Sequence, residues 1–124
     1  MTFESAFGQA VARHVESLRS VGFDTLRRRH GNGFVAVVAF RQDEFVNIVL
    51  DTHDDEVYAE VGHTTSGRLP GWGGPDRIDL RQLPGVPRNL GQLNLEERAI
   101  EPALAQVLEF LLRTGIPYLE RQRK

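Results

Sequence analysis

Phe34-Val35-Ala36-Val37-Val38-Ala39-Phe40, Phe45-Val46-Asn47-Ile48-Val49-Leu50 and Val57-Tyr58-Ala59-Glu60-Val61 are three apolar runs separated only by Arg41-Gln42-Asp43-Glu44 and by the polar turn from Asp51 to Glu56. Runs of this length, rich in valine and linked by short polar gaps, read as an antiparallel β-meander. An even-length hairpin loop fixes which residues stand opposite one another. Placing Phe40 opposite Phe45 puts Val35, Val37 and Ala39 on one face with Val46, Ile48 and Leu50, and placing Leu50 opposite Val57 adds Ala59 and Val61. This is the face expected to lie beneath helices.

The opposite face does not alternate as a water-facing surface would. It carries Phe34, Ala36, Val38 and Phe40, then Phe45, Asn47, Val49 and Asp51, then Glu56, Tyr58 and Glu60. A hairpin loop of two or four residues in the Gly31-Asn32 region sets Thr25, Arg27 and Arg29 beside them, and this second face then grades from basic through apolar to acidic.

Working outward, Phe3, Phe7, Ala10, Val11, His14, Val15, Leu18 and Val21 recur at three- and four-residue steps, the stripe of an amphipathic helix. Thr2 caps its start, Glu4 suits its first turn, and Gly22 fits the left-handed position beyond its end. A strand is expected from Phe23 through His30. The stretch from Gly67 to Gly91, rich in glycine and proline, reads as a long loop with a short edge strand at Arg77-Ile78-Asp79-Leu80-Arg81. A second helix is expected from Asn94, where Glu97 three residues on completes a capping box, with a kink or fresh start at Pro102. Leu104, Val107, Leu108 and Leu111 form its buried stripe, and Gly115 with Pro117 is read as its stop. Ile116 to Leu119 should fold back on the core.

The fold class is therefore α+β: an antiparallel sheet of four or five strands with the N-terminal and C-terminal helices packed on one face, all within a single domain spanning 1–124. Composition narrows the function. With 15 Lys and Arg against 17 Asp and Glu, the chain has no global attraction for nucleic acid or an anionic membrane. The absence of cysteine excludes disulfides, thiolate metal sites and thiol nucleophiles. Neither a signal peptide nor a membrane-length apolar run is present, and a cytoplasmic protein is expected.

No catalytic residue, metal ligand or cofactor is assigned. Ser5, Ser17, Ser20 and Ser66 lie outside any nucleophile elbow. Asp51, Glu56 and Glu60 share a face and could host acid–base chemistry in a cleft, yet cross-strand carboxylates more commonly pair with arginine. Asp51-Thr52-His53-Asp54-Asp55-Glu56 lacks EF-hand spacing and reads as a hairpin loop. His30 and His63 are the distant ligands it would need, but His63 points to the core side, and His14 belongs to a helix stripe. Gly71-Trp72-Gly73-Gly74-Pro75-Asp76 does not lead into a helix as a phosphate loop must. Within Arg27-Arg28-Arg29-His30, Arg28 faces away from its neighbours, which reads as a charged edge strand and not a nucleic-acid site.

Taken in order, a helix ending in Val21-Gly22-Phe23, an arginine-rich strand, a meander and a final helix closing with Thr114-Gly115-Ile116-Pro117-Tyr118-Leu119-Glu120 resemble a group of small uncharacterised bacterial domains, some of which are suspected of toxin immunity. The resemblance implies the helix–meander–helix fold and a protein-binding role, and it carries no active site.

The sequence thus favours a non-catalytic binding module whose second face takes a protein partner or a second copy of the chain. Val38, Phe40, Phe45 and Val49 form its apolar centre, rimmed by Arg27, Arg29, Tyr58 and Glu60. The competing expectation is a small-ligand pocket or enzyme in which the 63–91 loop, with Trp72, closes over Asn47, Asp51, Tyr58 and Glu60. Trp72 is either a contact residue or the lid itself.

Overall fold

The computed structural model describes residues 3–64, 77–93 and 100–122. Thr2, Trp72 with its glycine-rich neighbours, and the Asn94–Glu97 capping box lie outside them. The elements run α1 (Phe3–Arg19), β1 (Thr25–Gly31), β2 (Phe34–Arg41), β3 (Glu44–Asp51), β4 (Glu56–His63), β5 (Arg77–Asp79), α2 (Ile100–Phe110) and α3 (Ile116–Arg121). The five strands form an open antiparallel sheet in the order of the chain.

Register follows from the turns. Asn32-Gly33 and Gln42-Asp43 are two-residue loops, with Gly33 and Gln42 in the left-handed region, and residues 52–55 make a four-residue loop ending on left-handed Asp55. All are even, so Phe40 lies opposite Phe45 and Leu50 opposite Val57, as the alternation requires. Arg27 pairs with Val38 and Arg29 with Ala36, which places both arginines on the second face.

On the other face, Val37, Ala39, Val46, Ile48, Leu50, Val57, Ala59 and Val61 are buried with Phe7, Ala10, Val11 and Leu18 of α1 and Leu104, Val107, Leu108 and Leu111 from the C-terminal segment. The helix α1 lies along β2 and α2 along β4, and the two helices touch. Outside the core, Arg13 clasps Glu101 with bonds of 2.9 and 2.6 Å, tying α1 to α2 across the chain.

The first helix closes as its sequence demands. Gly22 has φ +96°, the Phe23 amide donates to the Leu18 carbonyl and the Gly22 amide to that of Arg19, a Schellman arrangement that seats Phe23 against Leu18 in the core. That requirement removes Phe23 from the expected strand, which starts at Thr25.

Arg41 and Glu44 are strand ends, not members of a polar gap. Arg41 bonds Glu44 at 2.9 Å, donates to the Val21 carbonyl at 2.6 Å and stacks over Phe23 at 4.5 Å, while His63 lies 3.8 Å from Glu44. A guanidinium at the C-terminal end of α1 answers that helix's partial negative charge.

The C-terminal helix corrects the expected stop. Gly115 has a right-handed φ of −69°, and the backbone continues through a π-turn at residues 111–115 into α3. Pro117 opens α3 as a first-turn residue, where a missing N–H costs nothing. Gly115 suits the site for a different reason: a Cβ there would press on the methyl ends of Leu80 and Leu111 at 3.0 Å. Ile116 and Leu119 are buried, as anticipated for the return to the core.

The expected edge strand stops two residues early, at Asp79. Leu80 is buried, and a 3₁₀ turn over residues 80–82 begins with the Asp79 carboxylate taking the Arg81 amide while the Gln82 side chain takes that of Asp79. Beyond it, residues 83–93 wrap the edge of β4, burying Leu83, Val86, Leu90 and Leu93 and pairing Gly91 with Val57 and Leu93 with Asp55. A Cβ on Gly91 would stand 1.7 Å from the Val57 carbonyl oxygen, whereas one on Gly85 meets nothing, although both residues have φ +82°. Gly85→Ala should therefore cost about 1–2 kcal/mol, the left-handed penalty alone. Gly91→Ala should cost clearly more, because β4 or the strap must move. Urea unfolding of the two variants side by side measures the difference.

Candidate functional site

Across the second face the register assembles rows. One runs Arg27, Val38, Asn47, Glu60, Asp79, the next Arg29, Ala36, Val49, Tyr58, and another Phe34, Asp51, Glu56. The gradient from basic to acidic is present, with β5 adding Arg77 and Asp79 beyond it.

Most of the apolar centre is enclosed. Val38, Phe45 and Val49 are at most 4 % exposed, and the polar Asn47 and Glu60 at most 5 %, within one chain. Those five residues present no contact surface as they stand. Of the others expected here, Phe40 and Tyr58 are half-buried, Arg27 and Arg29 are exposed, and Trp72 lies outside the described residues.

Burying Asn47 and Glu60 requires partners, and the structure supplies them from β5. The Asn47 amide donates to Glu60 at 3.1 Å, and Arg77 binds both carboxylate oxygens, its Nε at 3.1 Å. The Asn47 Oδ1 has no hydrogen-bond partner. A second cluster stands next to the first. Arg81 bonds Asp79 through Nε at 3.1 Å and Nη2 at 2.8 Å, reaches Glu56 at 2.7 Å and lies 5.3 Å from the Tyr58 ring centroid. These contacts hold the Arg81 proton more tightly than usual, the bond to Asp79 above all.

Between these clusters and the wall made by Gln82, Leu83, Pro84 and Arg88 lies an open groove of roughly 1040 Å³. Its floor is Asp51, Glu56, Tyr58 and Glu60, the acidic end of the second face, with Asp54 at the rim. Five acids face three arginines there, and Arg77 and Arg81 are already committed to Glu60, Asp79 and Glu56. Asp51 and Asp54 meet no arginine or lysine among the described residues, and Arg88 on the wall meets no acid there, so the lining keeps a surplus of two carboxylates over its arginines. Asp51 Oδ1 accepts the amides of His53 and Asp54 at 2.9 and 3.1 Å, the Asx turn expected of this loop.

Asp51, Asp54 and Glu56 each offer a carboxylate oxygen within 4.8 Å of the others. Calcium takes six to eight oxygens. One oxygen of Asp51 is occupied by backbone amides and one of Glu56 by Arg81, so the trio alone falls short of a metal cage. Tyr58, on the floor of the groove, is a neutral phenol whose proton is held up to about 12, by burial first and then by the charges of Glu60 and Asp51. It is a hydrogen-bonding group at neutral pH, not a base.

Sequence reasoning found Asn47, Asp51, Tyr58 and Glu60 but not Arg77, Asp79 or Arg81. The alternation of residues 77–81 held the signal, since an antiparallel edge strand beside β4 places Arg77 and Asp79 together on one face. Nothing in residues 64–76 fixed which face that would be. Comparison of the chain with protein-family models, with curated proteins and with solved structures finds no match.

Two measurements bear on this geometry. Replacing Arg77 by Met leaves the buried Glu60 carboxylate without its cation and should cost about 3–5 kcal/mol. Adding Glu60→Gln should return much of that loss in a denaturant double-mutant cycle. Tyr58 supplies the pH test. Its proton is bound more tightly in the folded chain than at the ordinary value of 10, so its contribution to stability is complete below pH 10 and lost as pH rises toward 12. Tyr58→Phe should flatten the stability curve across that interval and remove a tyrosinate absorbance transition near pH 12.

Proposed function

We propose that the protein is a binding module without chemistry of its own, and that its ligand is a small organic cation, an amine, held in the groove on the second face. One observation carries the reading: the groove is lined by five carboxylates against three arginines, with Asp51 and Asp54 free of any arginine or lysine among the described residues while Glu56, Glu60 and Asp79 are already paired. An ammonium group meets Asp51 and Asp54 by charge-assisted hydrogen bonds, and the body of the ligand lies along Tyr58. The ion pairs of Arg77 and Arg81 are the rigid frame of the site. Because each is saturated by its own carboxylates, they hold the floor in place and do not recruit an anion.

The competing reading, a protein partner or second copy seated on Val38, Phe45 and Val49, has less support, since those side chains are enclosed within a single chain. Among the described residues no helix is long and apolar enough to cross a membrane, which agrees with ligands taken from water.

The test is titration of the full chain with an arylalkyl amine and with its neutral alcohol counterpart, followed by calorimetry and by amide shifts in β4. The amine should bind and the alcohol should not. Asp51→Asn keeps the Oδ1 acceptor of the turn and removes the charge, so it should weaken the amine about tenfold without loss of stability. Equal binding of the alcohol, or tighter binding of calcium than of any amine, would overturn the assignment.

A further inference from the structure

The two edges of the sheet are treated differently. At one, β5 and the 91–93 strap cover β4, through Val57 to Gly91 at 2.8 Å and Leu93 to Asp55 at 2.9 Å. At the other, β1 packs against β2, and among the described residues no further strand pairs with it. Among the described residues no backbone hydrogen bond beyond the β1–β2 ladder involves residues 25–31. In an antiparallel pair alternate N–H and C=O groups point away from the neighbour, so this edge offers a row of free donors and acceptors.

Its side chains stand out equally. Arg13, Arg19, Arg41, Arg77, Arg81 and Arg113 are each held by a carboxylate. Arg27, Arg28 and Arg29 meet no carboxylate among the described residues; Arg88 and Arg121 also lack one, but these three stand side by side on a single strand, where Arg27 lies over the Phe40 ring at 5.6 Å. All three are exposed, along with His30. An acidic chain has thus gathered three consecutive unpaired arginines on an edge strand.

We infer that β1 is a docking edge for an extended acidic segment of another protein, which adds as a sixth strand. Arg27 and Arg29 point to the second face, so carboxylates at alternate positions of the incoming strand stand opposite them. A second copy of this chain is a poor occupant. Antiparallel pairing of β1 with itself about Arg28 sets Arg27 against Arg29 and Arg28 against Arg28, like charges directly opposed. The surface lies across the sheet from the groove and stands independently of the amine reading.

The probe is a fluorescent peptide of alternating glutamate and valine, titrated into the full chain and followed by anisotropy and by hydrogen exchange of the β1 amides. It should bind, protect those amides and lose affinity as salt is added. Joint Arg27→Glu and Arg29→Glu, both on exposed side chains and checked by amide spectra for intact folding, should weaken it at least about tenfold. Methylation of alternate peptide nitrogens should do the same, because it removes main-chain pairing and leaves charge untouched. Undiminished binding of the methylated peptide would overturn strand addition in favour of unspecific charge attraction. A single-stranded oligonucleotide that binds more tightly than the peptide would replace the protein partner with a nucleic acid. Absence of peptide binding at millimolar concentration would leave the arginines as guards against aggregation and end the proposal.

Discussion

Even-length turns are the constraint on which everything else in this chain rests. With two residues at 32–33, two at 42–43 and four at 52–55, each strand of the meander enters with the same sidedness as the one before. A single extra residue in any of them would send every later side chain to the other face. Gly33 takes its left-handed conformation freely, whereas Gln42 and Asp55 adopt one that side chains disfavour. The strain they carry is the cost of keeping two faces apart.

Once the faces are separated, the helix side is buried and the second side is buried in its middle. The helix side is apolar throughout, apart from the row of Arg41, Glu44 and His63 at its rim. The second side is apolar only in the middle, and its polar members had to be matched. Glu60 and Asn47 cannot be stable at such depth without Arg77, nor Arg81 without Asp79 and Glu56. Saturating those pairs leaves Asp51 and Asp54 as excess charge at one end of the face and the β1 arginines at the other. Binding capacity at either end is what remains after the interior has satisfied itself.

Local rules made most of the fold legible. Alternation gave the meander and its register, helical spacing gave α1 and the stripe of α2, and Gly22 announced the end of α1. Where the reading failed, packing overruled a local signal. Gly115 and Pro117 look like a terminus, but the glycine suits a close approach to Leu80, and the proline falls where a helix tolerates it. Phe23 looks like a strand residue and is instead the apolar cap of a helix. Half of the groove was readable, because Asp51, Tyr58 and Glu60 lie in the meander. Its other half comes from β5 and the turn after it, whose placement depends on contacts far apart in the chain. The apolar patch was legible, and so were two ways to cover it, by a partner or by the 63–91 loop; the burial of Val38, Phe45 and Val49 depends on packing that alternation does not encode.

The π-turn at 111–115 has a meaning beyond the absence of a stop. An α-helix advances roughly 100° per residue, so Ile116 and Leu119, five and eight residues after Leu111, would lie about 140° and about 80° around the axis from it. In an unbroken α-helix that offset carries them away from the buried stripe. One residue absorbed in a wider turn sets the rotation back by about 100° and returns both side chains to the core. The segment therefore works as a phase correction, letting two helices of unequal register share one continuous apolar seam.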